Sequence, residues 1–196
     1  MNILLTAFGP FQNFEINPSQ IVLEEIASDS NLQLDIDFKV IDVSFDAVDD
    51  FIENLNKPYS LIIHMGVATG ESKTRLEVLA KNIAHGQDVN EKVYKKKYIN
   101  EESHDLLTTV PNKVIDALVD KYKDELYISN DAGNYLCNYI YYKSIFKFGK
   151  LTPVLFIHIS DFQNIEHANN VIIQSGIVKN LIKEFEKYEQ QKTSIV

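Results

Sequence analysis

Residues 126–159 read LYISNDAGNYLCNYIYYKSIFKFGKLTPVLFIHI. Leu126 to Ser129 is a short strand-like run. The small and polar residues from Ser129 to Asn134 suit a tight turn. Tyr135 to Phe148 then has the length and spacing of a helix, and Val154 to Ile159 is a continuous apolar run of strand length. A strand, a helix and a strand buried on both faces predict a sheet covered by helices.

The same alternation extends outward in both directions. Ile3 to Ala7 is an apolar run stopped by Phe8-Gly9-Pro10, which reads as a buried strand and a loop. Asn17-Pro18-Ser19 opens a helix, with Asn17 as N-cap and Pro18 at the first helical position. Leu32 to Val43 reads as a strand in which Leu34, Ile36 and Phe38 alternate with polar residues. A helix follows over Phe45 to Leu55, and a strand over Tyr59 to Met65. Ser72 to Ile83 fits a strand by the parity of Leu76, Val78 and Ala80, although a helix satisfies the pattern too. Gly86 to Val110 reads as loops and a short hairpin. Pro111 to Tyr122 is a helix, and Ile165 to Glu189 a long terminal one. The expected fold is a single-domain three-layer α/β/α sandwich over residues 1–196 with a mostly parallel central sheet. Ligands of such sheets bind at loops beyond strand carboxyl ends, here after Ala7, Met65 and Ser129.

Composition excludes several functions. The 196 residues carry a formal charge of −9, so neither nucleic acid nor an anionic membrane is expected as a partner. Lys95-Lys96-Lys97 is too short a basic run to change that. No apolar stretch reaches the length of a membrane helix, and the N-terminus lacks the basic and hydrophobic regions of a signal peptide. The lone cysteine cannot form an internal disulfide, which fits a reducing compartment; cytoplasm is the expected location. No His-x-x-x-His or Cys-x-x-Cys pair offers zinc spacing, so no metal is expected. Gly66-Val67-Ala68-Thr69-Gly70 lacks the rest of a nucleotide fingerprint.

Three residues are candidates for chemistry. Cys137 falls about one turn into the helix after the Ser129–Asn134 turn. The positive end of a helix makes a thiol more acidic, and its unpaired amides can hold an oxyanion. The plain alternative is an inert cysteine packing helix on sheet. His158 ends the last apolar strand, where it could serve a thiol as base and acid; His64 is placed similarly in its own strand. Either could equally be a core histidine. His85, His104 and His167 have polar neighbours and look solvated. Glu77 interrupts an apolar pattern and needs a partner. An imidazole would make it the orienting member of a triad; Arg75, Lys81 or simple exposure would make it structural. Tyr135, Tyr139 and Tyr142 share a helix face and are expected in the core.

Four colinear segments together resemble the pyroglutamyl peptidase type I (pyrrolidone-carboxylate peptidase) family. Ile128 to Asn138 resembles its nucleophile segment, Leu155 to Ile159 its histidine strand, and Leu76 to Asn82 its glutamate strand. Leu5 to Phe11 with Asn17-Pro18-Ser19 resembles its N-terminal signature. The resemblance implies a cofactor-free cysteine exopeptidase, an omega-peptidase that removes N-terminal pyroglutamyl residues from small blocked peptides. It implies Cys137 as nucleophile, His158 as general base and acid, and Glu77 as the carboxylate that orients the imidazole. Phe8 and Phe11 match aromatic positions near the lactam pocket. Members are often oligomeric, so a homo-oligomer is compatible with it.

The chain departs from the family at several points. Gln12-Asn13 stands for a Gly-Gly pair, Glu71 for an arginine, and Gln87 for an arginine near the oxyanion site. Asp88-Val89-Asn90 replaces Ile-Pro-Asp-Asn, and Ser160 follows Ile159 where a proline is usual. Gln87 can still donate a hydrogen bond to substrate. These departures motivate two alternatives: a cysteine amidase with an altered substrate, or a weakly catalytic binding protein of the same fold.

Overall fold

A computed structural model describes residues 1–30, 32, 34–101 and 104–194. A six-stranded sheet forms its centre in the order β2-β1-β3-β8-β4-β7. These strands are β1 (Asn2–Phe8), β2 (Asp35–Ile41), β3 (Leu61–Ala68), β4 (Thr74–Glu77), β7 (Leu126–Ser129) and β8 (Val154–Ser160). A separate small ladder pairs β5 (Leu79–Ala80) antiparallel with β6 (Leu106–Leu107). Helices α1 (Pro18–Ala27), α3 (Asn112–Lys121) and α5 (Val171–Thr193) pack on one face of the sheet. Helices α2 (Phe45–Asn54) and α4 (Leu136–Phe148) pack on the other.

Strand parity divides the core in two. Ile3, Leu5, Leu61, Ile63, Leu155 and Ile157 point toward α1, α3 and α5. Leu4, Ile62, Val154 and Phe156 point toward α2 and α4. Because β1, β3 and β8 are covered on both faces, their sequences are apolar at nearly every position. The exceptions on the α2/α4 face, Thr6, His64, Gly66 and His158, carry the polar chemistry described below.

Several boundaries differ from the sequence reading. β2 is shorter than Leu32–Val43, beginning at Asp35; Gln33, inside the expected strand, lies outside the described residues. Ser72–Ile83 resolves into β4 and β5. The terminal helix starts at Val171 rather than Ile165. Asp161 stops it starting earlier: its carboxylate and carbonyl hold the turn at Asn164 and Ile165, and Asn170 supplies the N-cap by accepting from the Ile173 amide. At the other end the helix runs on to Thr193.

The sheet is mostly parallel, as expected, and the correction concerns one loop. β2, β1, β3 and β8 are mutually parallel, but β4 runs antiparallel to β8 and carries β7 parallel to itself. β7 therefore points the opposite way from β1 and β3, and the loop after Ser129 leaves at a different end from those after β1 and β3. Residues 130–135 must bring the chain back across the sheet before α4 begins.

Candidate active site

The site lies where α4 begins over the α2/α4 face of the sheet. Cys137 is the second residue of α4, nearer the N-terminus than one turn, and it is half-buried. The first intrahelical bond runs from the Tyr139 amide to the Tyr135 carbonyl. The amides of Leu136, Cys137 and Asn138 thus stand ahead of the ladder. Side chains cap α1, α2 and α5 through Asn17, Ser44 and Asn170, whereas no side chain caps α4.

Two residues fix where the thiol sits. Gly66 on β3 lies beneath it: a Cβ there would stand 2.7 Å from Cys137 Sγ and 3.0 Å from the Phe156 ring. Only glycine leaves this space. Asn138 anchors the first turn of α4. Its side chain accepts from the Lys81 amide and donates to the Lys81 and Ile83 carbonyls, each at 2.8 Å. The sequence alone assigns no role to Gly66 beyond an incomplete fingerprint, and none to Asn138 beyond the end of the segment that resembles the nucleophile segment. A polar residue fully buried on an apolar helix face was the signal available for it.

His158 sits beside Gly66 on the adjacent strand, the two being register partners. Its Nδ1 lies 2.7 Å from Glu77 Oε1, and the Cys137 thiol is near enough to influence the imidazole's charge. Burial disfavours the charged ring, but Cys137 and Glu77 overcome it and push the pKa up to about 9. Glu77 is completely buried, and its Oε2 has no hydrogen-bond partner. The structural alternatives for this carboxylate are taken up elsewhere: Arg75 pairs with Glu71, and Lys81 with Asp131. Nor is β4 an edge strand, since it lies between β8 and β7.

The rival histidine has a different place. His64 is fully buried, with Nδ1 2.7 Å from Thr6 Oγ1 and Nε2 2.7 Å from Ser144 Oγ. Burial pushes its pKa down to about 3, so it ties β1, β3 and α4 together as a neutral ring. His85, His104 and His167 are exposed. Among the described residues no group of His, Cys, Asp and Glu could hold a metal ion. Among them, too, no helix is long and apolar enough to cross a membrane.

A cavity of about 30 Å³ opens beside Cys137, lined by Phe8, Phe11, Asn17, Val43, Val67 and Tyr135, among others. Phe11 and Tyr135 stack over it at 5.7 Å. Tyr135 is fixed from behind, its hydroxyl donating to the Gln87 carbonyl at 2.9 Å. Gly86, at φ +112°, leaves room for that ring. Gln87 itself is exposed, and its side-chain amide donates to the Glu91 carbonyl within its own loop. Asp88 pins this loop by accepting from the amides of Phe45, Asn90 and Lys92. Tyr139 and Tyr142 are core residues, as expected, and Tyr135 is half-buried.

A half-buried thiol at an uncapped helix start, near an imidazole that a buried carboxylate holds, is compatible with cysteine-hydrolase chemistry. A model of the pyroglutamyl peptidase family matches residues 1–174. The chain belongs to that family. It is 28% identical over 167 residues to a pyrrolidone-carboxylate peptidase of Saccharolobus islandicus, which covers 81% of this chain and 79% of that one. It is also 28% identical over 177 residues to that of Oceanobacillus iheyensis, covering 86% and 88%. The pyrrolidone carboxyl peptidase of Thermus thermophilus superposes with a TM-score of 0.82 at 24% identity, covering 93% and 99%. That of Thermococcus litoralis gives 0.82 at 20%, covering 97% and 96%. These neighbours share the fold, and the family makes the chain a cysteine peptidase of the pyroglutamyl type.

Proposed function

We propose that the chain hydrolyses the amide bond after an N-terminal pyroglutamyl residue, with Cys137 as nucleophile, His158 as acid and base, and Glu77 orienting the imidazolium. The observation that carries this reading is an imidazole held by the buried Glu77 carboxylate and influenced by the Cys137 thiol at the mouth of an aromatic cavity. Phe8, Phe11 and Tyr135 offer flat apolar faces to an uncharged lactam ring. The cavity holds little more than one water's share of the liquid, so Phe11 swings off Tyr135 when the ring enters.

His158, held by Glu77 at Nδ1 and with its pKa raised to about 9, takes the Cys137 proton at Nε2 as the sulfur attacks. The sulfur attacks the acyl carbonyl, forming the C–S bond and an oxyanion that faces the unpaired amides at the start of α4. As the oxyanion collapses the C–N bond breaks, and His158 gives its Nε2 proton to the leaving amine. Water then attacks the thioester and yields a proton to His158; pyroglutamic acid departs as His158 returns that proton to the sulfur, restoring the thiol. The substrates are small N-terminally blocked peptides, and the free reactive thiol suits the reducing cytoplasm.

Gln87 favours a second reading. Its amide is engaged with Glu91, so Gln87 does not support the helix amides at the oxyanion, and a cyclic or capped amide more reactive than a peptide would fit a site so equipped. The test is release of a fluorophore from a pyroglutamyl-amide reporter by wild type and Cys137→Ala. Turnover by wild type alone supports the peptidase. Turnover by neither, with activity on other capped amides that Cys137→Ala lacks, supports the second reading.

A further inference from the structure

The chain has 19 basic residues other than histidine, and Arg75 is its only arginine; the other 18 are lysines. That one guanidinium lies next to the candidate catalytic histidine. Arg75 on β4 is the register partner of His158 on β8, and Tyr127 on β7 is the register partner of Arg75. With Gly66 on the other side of His158, one row of the sheet reads Gly66, His158, Arg75, Tyr127. Paired residues face the same side, so the row runs along the face on which α4 sets Cys137.

The row has a direction. The cavity of Phe8, Phe11, Val67 and Tyr135 lies toward β1 and β3, and it takes the acyl ring in the function proposed above, on which this inference rests. His158 protonates the leaving amine. The leaving residue therefore passes over His158 away from β3, toward β4 and β7. Neighbouring strands are about 4.8 Å apart, and one residue advances the chain by about 3.8 Å. The carboxylate of the residue directly after the scissile bond thus arrives over Arg75.

Arg75 is equipped to receive it. Its Nη2 bonds Glu71 Oε1, and its guanidinium lies 6.0 Å from the centre of the Tyr127 ring. Its Nε is buried without a hydrogen-bond partner, an unmet donor in a molecule where such groups are rare. The side chain is 21% exposed and that of Glu71 35%, so the cluster reaches solvent. A planar fork grips a carboxylate through two bonds where lysine offers a point charge, which gives the single arginine a reason to be here. Glu71 holds the fork in place until a second carboxylate shares it.

We propose that Arg75, with Glu71 and Tyr127, forms a leaving-side subsite for the free carboxylate of pyroglutamyl dipeptides. Arg75 touches the leaving residue and sets specificity; it takes no part in bond breaking.

The test compares kcat/KM on pyroglutamyl-alanine and on its C-terminal amide. Wild type is expected to favour the acid by about tenfold, the size of one charge-assisted hydrogen bond at a partly exposed site. Arg75→Gln brings the ratio near one by losing turnover of the acid alone. Arg75→Lys, which keeps the charge and guards against a general effect on folding, retains part of the preference. Glu71→Gln, which removes the competing carboxylate, raises it. A purely structural Arg75–Glu71 pair would lower both substrates together and leave the ratio fixed. Equal turnover of acid and amide by wild type, or a ratio unmoved in Arg75→Gln, overturns the subsite and leaves the peptidase reading standing. Failure of wild type to cleave either substrate or the pyroglutamyl-amide reporter overturns both.

Discussion

Glu77 contributes to the site through its charge as well as its shape. It is buried, keeps one oxygen unpartnered, and shares the imidazole of His158 with Cys137. A His whose folded pKa is raised stabilises the fold fully below its unfolded value near 6.5, and that contribution fades as pH rises through about 9. Glu77→Gln keeps the shape and removes the charge. The variant is expected to have a lower His158 pKa, read by NMR of the ring. Its stability deficit against wild type should be greatest near pH 6 and should shrink toward pH 9 in denaturant titrations. Gly66 makes a complementary case. Gly66→Ala places a methyl where Cys137 Sγ and the Phe156 ring already are. Sulfur, at the start of a helix, is the partner able to move, and 1 Å at a reacting atom costs about 100-fold. Turnover should fall by about that factor, with a melting temperature lowered far less than activity.

At the level of elements, Asn138 converts a helix start into a fixed platform. The Ser129–Asn134 turn is polar and largely exposed and cannot by itself hold α4 in place. The three hydrogen bonds of Asn138 to the chain at Lys81 and Ile83 do so. Asn138→Ala leaves part-buried backbone groups at 81 and 83 unpaired and should lower stability by about 1–3 kcal/mol, seen in denaturant unfolding. Asn138→Asp, which keeps only the acceptor for the Lys81 amide, should also fail to restore activity. The strands that flank this platform were legible because β1, β3 and β8 are buried on both faces and therefore continuously apolar. Strand direction was not legible. Nothing in Thr74–Glu77 or Leu126–Ser129 distinguishes a strand parallel to β8 from one antiparallel to it, because both are short and both pair on two sides or at an edge by backbone alone. The start of α5 differs because Ile165 lies near the apolar residues at 171, 172 and 173, while Asp161, whose turn separates them, is anchored to Gly70 and Glu71, distant in sequence. The residues of the candidate site were legible as residue types. Their assembly was not, since Gly66, Asn138 and Arg75 matter only through neighbours the sequence does not place beside them.

Across the whole molecule, a polar bolt through His64 helps join the sheet to α4. His64 spans Thr6 on β1 and Ser144 on α4 through both ring nitrogens, in a core layer otherwise filled by residues such as Ile62, Phe156 and Tyr141. The bolt holds only while the ring is neutral, because a neutral imidazole has one donor and one acceptor to match two hydroxyls. Burial keeps it neutral by lowering its pKa to about 3. The unfolded chain protonates near 6.5, so this contribution is complete above pH 6.5 and is lost as pH falls toward 3. His64→Gln carries one donor and one acceptor on a neutral side chain and has no such window. The two proteins should therefore differ most in stability near pH 7, with wild type the more stable, and the difference should shrink steadily between pH 6.5 and pH 3. Equilibrium unfolding of both across that range reads it directly, and a difference that stays constant with pH would mean that His64 is already charged inside the fold. Because Ser144 lies two turns below Cys137 on the same helix, acid that loosens this bolt should loosen the helix that presents the thiol, and turnover should decline reversibly ahead of global unfolding.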